Sequence, residues 1–313
     1  MVEGYSVAHS HHHDHHCHEH PLPDFRRAFF AGILLNTGFI IVEAIWGLKA
    51  HSLALLADAG HNASDVLALA MAWIAASLTK RKPSSRFTYG MRSSSIIASL
   101  ANAVVLLVVV GGIGWESILR LTQPEMANST TIMAVAALGI LINGGTALLF
   151  ISGRKSDLNI RAAFQHMAAD MLISLCVVVS GALMLATHWL WLDPLMSLII
   201  SVLIIFSTWE LLEESMVLAL QAVPRHVDPE AVKEFLKRLP GVREVHDLHI
   251  WAMSTTDIAS SVHLVMAGGH PGDAFIRNIA HEMEHDFNIS HTTIQIEVGD
   301  MSDECPLAPD HII

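Results

Sequence analysis

The segment LLADAGHNASDVLALA, residues 55–70, decides the fold. Apart from its polar letters it reads as a stretch of long apolar helix, yet it carries Asp58, His61 and Asp65. A carboxylate or imidazole inside a membrane span is costly to insert, so such groups face a bundle interior or an aqueous cavity and carry function. His61 and Asp65 stand four residues apart, which on a helix puts them about 40° apart in azimuth and one turn apart along the axis. The same spacing recurs at His166 and Asp170 in RAAFQHMAAD, residues 161–170. Two such helices face to face supply a cage of four ligands.

Two imidazole nitrogens and two carboxylate oxygens in a tetrahedral set suit Zn2+, with bonds of roughly 2.0–2.2 Å. Calcium and magnesium prefer six or more oxygens, and copper(I) prefers sulfur; Cd2+ and Co2+ are lesser fits. Binding requires neutral imidazoles and ionised carboxylates, so metal competes with protons at the same atoms, and histidine places that competition near neutral pH. Metal moving out and protons moving in can therefore use one site in turn. A single intramembrane polar residue such as Glu43, Asp58 or Asn102 is accounted for as readily by a hydrogen bond to a neighbouring helix as by a function.

The 313 residues are 52% hydrophobic and 15% charged with mean hydropathy +0.46, too apolar for an ordinary soluble domain. The apolar residues cluster into six blocks, near residues 29–49, 53–79, 93–119, 130–152, 160–187 and 190–214. Each is long enough to cross roughly 30 Å of hydrocarbon as a helix of about 20 residues. From about residue 222 the character becomes soluble. The first 25 residues are polar, so no secretory leader is expected and the first span serves as its own insertion signal.

Arg26, Arg27, Lys80, Arg81, Lys82, Arg86, Arg92, Arg154, Lys155 and Arg161 fall on one side if the six spans alternate, against Lys49 and Arg120 on the other. Both termini are therefore expected in the cytoplasm. Cys17, Cys176 and Cys305 imply no disulfide framework. Of the net charge of −12, the part after residue 220 holds 15 Asp plus Glu against 6 Lys plus Arg, which draws cations and argues against nucleic acid.

The chain resembles the cation diffusion facilitators, and among them the bacterial zinc-efflux members. The resemblance rests on SLALLADAGHNASD in the second span, RFTYGMR before the third, LNIRAAFQHMAAD leading into the fifth, and HDLHIWAM in the soluble part. It extends from about residue 26 to about 298. It implies a homodimeric metal/proton antiporter of the cell (inner) membrane, with six transmembrane helices followed by a small cytoplasmic α+β domain of metallochaperone (ferredoxin-like) type. The transport ligands fall on His61, Asp65, His166 and Asp170, and a histidine at the first of these positions goes with zinc selectivity. Some members carry a further metal site between the second and third spans; KRKPSSRFTYG has no His, Asp, Glu or Cys, so that site is expected to be missing.

The expected organisation is a His-rich cytoplasmic tail (1–25), a transmembrane domain (26–221), a cytoplasmic domain (222–298) and an acidic tail (299–313). Residues 228–298 read as helix, strand, strand, helix, strand. Asp228 caps the first helix with Pro229 at its first position, and Ala231, Val232, Phe235, Leu236 and Leu239 form its stripe. The resemblance puts a dimer-stabilising metal site near His246 and His263 with Glu297 as a partner, while Gln295 stands where some members have histidine.

A competing motif lies beside it. His281-Glu282-Met283-Glu284-His285 matches H-E-x-x-H, with Asn288 and His291 approximating the extended zinc-protease spacing. Ile276, Ile279, Met283 and Phe287 form the buried stripe of that helix, which leaves His281 and His285 on the solvated face and argues against an active site.

The start, HSHHHDHHCHEH at residues 9–20, has no apolar content to bury. Asp14, Cys17 and Glu19 break what would be an unbroken run in an expression tag. We read His11, His12, His13, His15, His16, Cys17, His18 and His20 as a loose metal-collecting tail. The reading that results is a Zn2+/H+ antiporter, not an enzyme. A membrane-anchored zinc sensor or store is the competitor that a flux measurement decides, and a metalloprotease using Glu282 is the distant third.

Overall fold

The computed structural model describes residues 26–79, 81–123, 125–151 and 158–299. The His-rich segment read as a metal-collecting tail and the acidic residues from 300 onward lie outside the described residues. Six long helices come first: α1 (Arg26–Ala50), α2 (Leu53–Thr79), α3 (Ser94–Thr122), α4 (Ser129–Phe150), α5 (Leu158–Thr187) and α6 (Leu192–Ala219). A small α+β unit follows: α7 (Pro229–Lys237), β1 (Glu244–Ala252), β2 (Ile258–Val265), α8 (Asp273–Phe287) and β3 (His291–Glu297).

The six helices are 22 to 30 residues long, roughly 33 to 45 Å at 1.5 Å per residue. Among the described residues, four segments are long and apolar enough to cross a bilayer by length and composition: Ser94–Thr122, Ser129–Phe150, Ala163–Thr187 and Leu192–Ala219. The distribution of polarity is that of a membrane bundle. Leu34, Ile41, Val108, Leu141, Leu172 and Phe206 are exposed, while Glu43, Asp58, Asn62, Asn102, Asn143, Asp170 and Asp193 are buried. Only a lipid solvent makes that arrangement stable, because apolar surface then costs nothing outside and polar groups find partners inside. This is a membrane protein.

The bundle packs α4 on α5, α3 on α6, α1 against α2 and α4, and α2 against α3 and α6, while α2 and α5 meet only over a short stretch. Small residues permit the closest approaches. A Cβ on Gly139 of α4 would lie 2.8 Å from both Phe39 Cζ of α1 and Ser174 Oγ of α5. The turn between α1 and α2 passes through His51, whose φ is +53° and whose carbonyl accepts from Arg120 Nη1 at 2.9 Å. There the buried Asp193 at the start of α6 accepts from Leu53 N (2.8 Å) and Ser52 Oγ (2.5 Å), so a carboxylate from another helix caps α2.

The apolar block expected to end near residue 214, whose last residues include Glu210, Glu213 and Glu214, continues helically for five more residues to Ala219; Arg225 Nη2, just after the helix, pairs with Glu213 at 2.7 Å. In the α+β unit, Asp228 caps α7 by accepting from Glu230 N and Ala231 N. Val232 and Leu236 are its buried stripe, whereas Ala231, counted in the stripe from sequence, is exposed. The sheet order is β1-β2-β3, with β1–β2 antiparallel and β2–β3 parallel through α8. Val232, Leu236, Ile279 and Met283 of the helices share one core with Val245, Ile250, Val262 and Leu264 of the strands.

The unit is also bolted to the bundle. Residues 253–257, the turn between β1 and β2, are held by Ser254 Oγ, which accepts from Thr256 N and Asp257 N. From this turn Thr255 N donates to Ser95 Oγ and Met253 O accepts from Ser93 Oγ, both at 3.1 Å. Asp257 pairs with Arg92 Nη1 at 2.9 Å, and His291 meets the Tyr89 ring edge-on at 5.7 Å. The attachment therefore sits at the N-terminus of α3 and the loop before it.

Candidate metal centres

His61 and Asp65 on α2 and His166 and Asp170 on α5 come together where those two helices meet. His61 Nε2 lies 3.7 Å from Asp65 Oδ2 and 3.7 Å from Asp170 Oδ1. His166 Nε2 lies 3.2 Å from Asp65 Oδ2 and 3.5 Å from Asp170 Oδ2. Each imidazole thus contacts both carboxylates, and the two rings stand edge to face with centroids 5.9 Å apart. A tetrahedron with zinc-ligand bonds of roughly 2.0–2.2 Å has edges of roughly 3.3–3.6 Å, which is about the range of these four N···O separations. His61, His166 and Asp170 each offer an atom within 4.8 Å of the others.

The donors are short of other partners. Outside the contacts just given, the buried atoms His61 Nδ1, Asp65 Oδ2 and Asp170 Oδ2 have no hydrogen-bond partner. Buried polar atoms are normally satisfied, and a cation is one way to satisfy these. Asp170 is 1% exposed and His61 18%, whereas Asp65 and His166 are 38% and 39%. Asp65 follows His61 along α2 and His166 precedes Asp170 along α5, so the accessible pair is the one nearer the end of the bundle that bears the α+β unit.

Deeper along α2 lies a polar layer that the sequence left ambiguous. Asp58 Oδ1 accepts from Asn62 Nδ2 and Asp58 Oδ2 from Ser174 Oγ, both at 3.5 Å, and Glu43 of α1 lies against Asp58. Asn102 is elsewhere, accepting from Ser64 Oγ at 3.4 Å between α3 and α2.

The second cluster is in the α+β unit. Register pairs His246 directly with His263 across β1–β2, and Val265 of β2 with Glu297 of β3. His246 Nε2 is 3.3 Å from Glu297 Oε2, and His263 Nδ1 is 3.0 Å from Glu297 Oε1. His246 is 4% exposed and neither of its ring nitrogens makes a well-aligned hydrogen bond. The donor set of two imidazoles and a carboxylate fits a zinc ion. Sequence reading missed two neighbours. The ladder slips between His246 and His249, and Asp247 sits in that bulge at φ +52°. Its carboxylate is thereby turned to His263 Nε2 (3.3 Å) and His249 Nε2 (2.9 Å). The HDLH spelling offered the residue types, but not the bulge. Gln295 Nε2 donates to Glu297 Oε1 at 2.9 Å and so steadies that carboxylate.

The H-E-x-x-H segment occupies α8 with His281, Glu282 and His285 exposed. His285 is hydrogen-bonded to Asp286 at 2.6 Å, which holds its imidazole above the usual range. Asn288 stands in the left-handed conformation that ends α8, φ +58°, and His291 is engaged with Tyr89. The Asn that broke the protease spacing is a helix terminator.

Two family models match. The cation efflux transmembrane domain covers residues 29–218, and the cytoplasmic domain of cation efflux proteins covers 224–298. Among curated relatives, a cadmium, cobalt and zinc/H(+)-K(+) antiporter of Bacillus subtilis (strain 168) is 32% identical over 90% of this chain and 91% of its own length. The zinc transporter ZitB of Escherichia coli (strain K12) is 33% identical over 93% of each. The metal cation efflux system protein CzcD of Cupriavidus metallidurans (strain CH34) is 34% identical over 91% and 90%. With both family domains matched in order along one polypeptide, and with relatives that are metal transporters over nine-tenths of their length, this chain belongs to the cation efflux family of metal transporters and is not an enzyme.

Proposed function

We propose that this protein exports Zn2+ from the cytoplasm in exchange for protons, by alternating access to a site made of His61, Asp65, His166 and Asp170. The observation that carries the reading is the ring of four N···O separations between 3.2 and 3.7 Å on two facing helices. Relatives whose names specify zinc, or cadmium, cobalt and zinc with H+ and K+, support the substrate class and the coupling. Cd2+ and Co2+ are the next substrates in order of fit. The greater exposure of Asp65 and His166 supports loading from the side on which the α+β domain lies.

We take that side to be the cytoplasm and the membrane to be the cell (inner) membrane, with both termini cytoplasmic. The working unit in this reading is a homodimer with a transmembrane domain over residues 26–221 and a cytoplasmic domain over 222–298. His246, His263 and Glu297 hold a structural zinc that stiffens the second domain, and the histidines of residues 1–25 raise local zinc near the entrance.

The test is zinc uptake into proteoliposomes under an imposed pH gradient, comparing wild type with His166→Ala. Gradient-driven uptake in wild type that collapses in the variant supports the antiporter. Wild type that binds zinc but carries none under either gradient direction overturns it in favour of a membrane-anchored zinc sensor or store.

A further inference from the structure

Two fully buried carboxylates lie next to the transport ligands without belonging to them. Glu43 of α1 is 0% exposed and Asp58 of α2 is 1% exposed. Their carboxylates face each other, acceptor against acceptor; the Asn62 amide lies near Glu43 as well, but neither Glu43 oxygen makes a well-formed hydrogen bond. The Asn62 amide and the Ser174 hydroxyl beside them both donate to Asp58.

Among the described residues, no Lys or Arg is placed against this pair. The other ionisable groups facing it are His61 of α2 and Asp170 of α5; α4, which also packs on α1, carries no ionisable residue. Two like charges in contact and out of water cannot both stay ionised, and one proton converts the repulsive contact into a hydrogen bond that supplies Glu43 with its missing partner. Asp58 precedes His61 by three residues, about 4.5 Å of rise, so the pair lies roughly one turn from the metal ligands.

We infer that Glu43 and Asp58 hold one proton between them and release it when a divalent cation loads the neighbouring site. The inference rests on the antiport reading and adds to it a proton carrier separate from the four ligands. Zinc arriving one turn away places positive charge near the pair, the shared proton leaves to water, and both carboxylates are ionised while the metal is bound. When the metal departs, a proton from the opposite side returns to the pair. The pair thus adds to the charge exchanged per zinc without touching the ion.

The experiment uses the full chain, purified in detergent, with zinc ion as the probe and two isosteric variants, Glu43→Gln and Asp58→Asn. Proton release on zinc addition is followed with a pH indicator in weak buffer, and the carboxylic-acid C=O stretch by infrared difference spectroscopy, zinc-loaded minus zinc-free. Wild type is expected to lose a carboxylic-acid band on loading. Each variant is expected to lack that change and to release fewer protons by about one per zinc, while still taking up zinc at the transport site.

The same proton count and the same band change in a variant as in wild type overturn the inference. So does a wild type with no carboxylic-acid band before zinc, a measurement that needs no variant to fold. Proton release that falls with added potassium in wild type and not in the variants also overturns it, by assigning the pair a metal cation instead. Failure of the antiport reading is separate, because it appears as absent gradient-driven uptake in wild type.

Discussion

Replacing Asp170 by alanine tests the proposed transport site at its most buried member. Asp170 contacts both imidazoles, at 3.7 and 3.5 Å, and is 1% exposed, so water has little room to take its place. Four-ligand zinc sites of high affinity are worth about 10–16 kcal/mol, or about 2.5–4 kcal/mol per ligand if shared evenly. At 1.4 kcal/mol per factor of ten, losing one ligand should lower kcat/KM for zinc about 10²- to 10³-fold. Asp65→Ala removes a ligand that is 38% exposed, where water can substitute, and should fall at the lower end of that range. The assay is initial zinc flux into proteoliposomes with an entrapped zinc-sensitive dye, over a range of zinc concentrations, which reads only metal that crosses. If Asp170→Ala transports with kcat/KM within about threefold of wild type, the ring is not the transport site and the reasoning from its spacing fails.

Asp193→Ala leaves Leu53 N and Ser52 Oγ buried without their acceptor, so the protein should lose about 1–3 kcal/mol, read as a lower midpoint in a thermal unfolding scan in detergent. Gly139→Ala drives a methyl to 2.8 Å from Phe39 Cζ and Ser174 Oγ; overpacking of this kind costs about 1–3 kcal/mol, and the same scan should show it. Asp286→Asn removes the carboxylate that holds His285 above the usual imidazole range. The His285 titration in NMR of histidine-labelled protein should therefore move to lower pH, leaving the ring neutral where wild type is still protonated; an unmoved titration contradicts the assignment.

The two His-x-x-x-Asp pairs were legible because helical periodicity alone puts positions i and i+4 on one face, and a polar pair in an apolar span must turn that face away from lipid. All six long helices were legible because a block of about 20 apolar residues matches the thickness of a bilayer. The end of α6 was not, because backbone hydrogen bonding carries a helix past the hydrocarbon where the apolar block stops, as from Ser215 to Ala219. In the second domain, Asp228 with Pro229 announced α7, whereas the bulge that aims Asp247 at His263 depends on strand register, which one strand's letters do not encode. Glu43 and Asp58 were visible as anomalies, yet their meeting is a contact between residues on different helices, and no local pattern announces it. Asp193 was hidden more completely, since a cap supplied from 140 residues away has no sequence signature.

The turn at residues 253–257 has a bearing on how such chains can be recombined. Besides the covalent connection after α6, the cytoplasmic domain is fastened to the start of α3 by Arg92 with Asp257, Ser93 with Met253 and Ser95 with Thr255. Two attachment points fix an orientation where one would leave a swivel. A cytoplasmic domain taken from a relative is therefore not a plug-in part: it carries half of a lock whose other half is written between the second and third spans. Chimeras joined only after α6 would keep both folds and lose their alignment, and those that exchange residues 89–95 together with the domain would keep it.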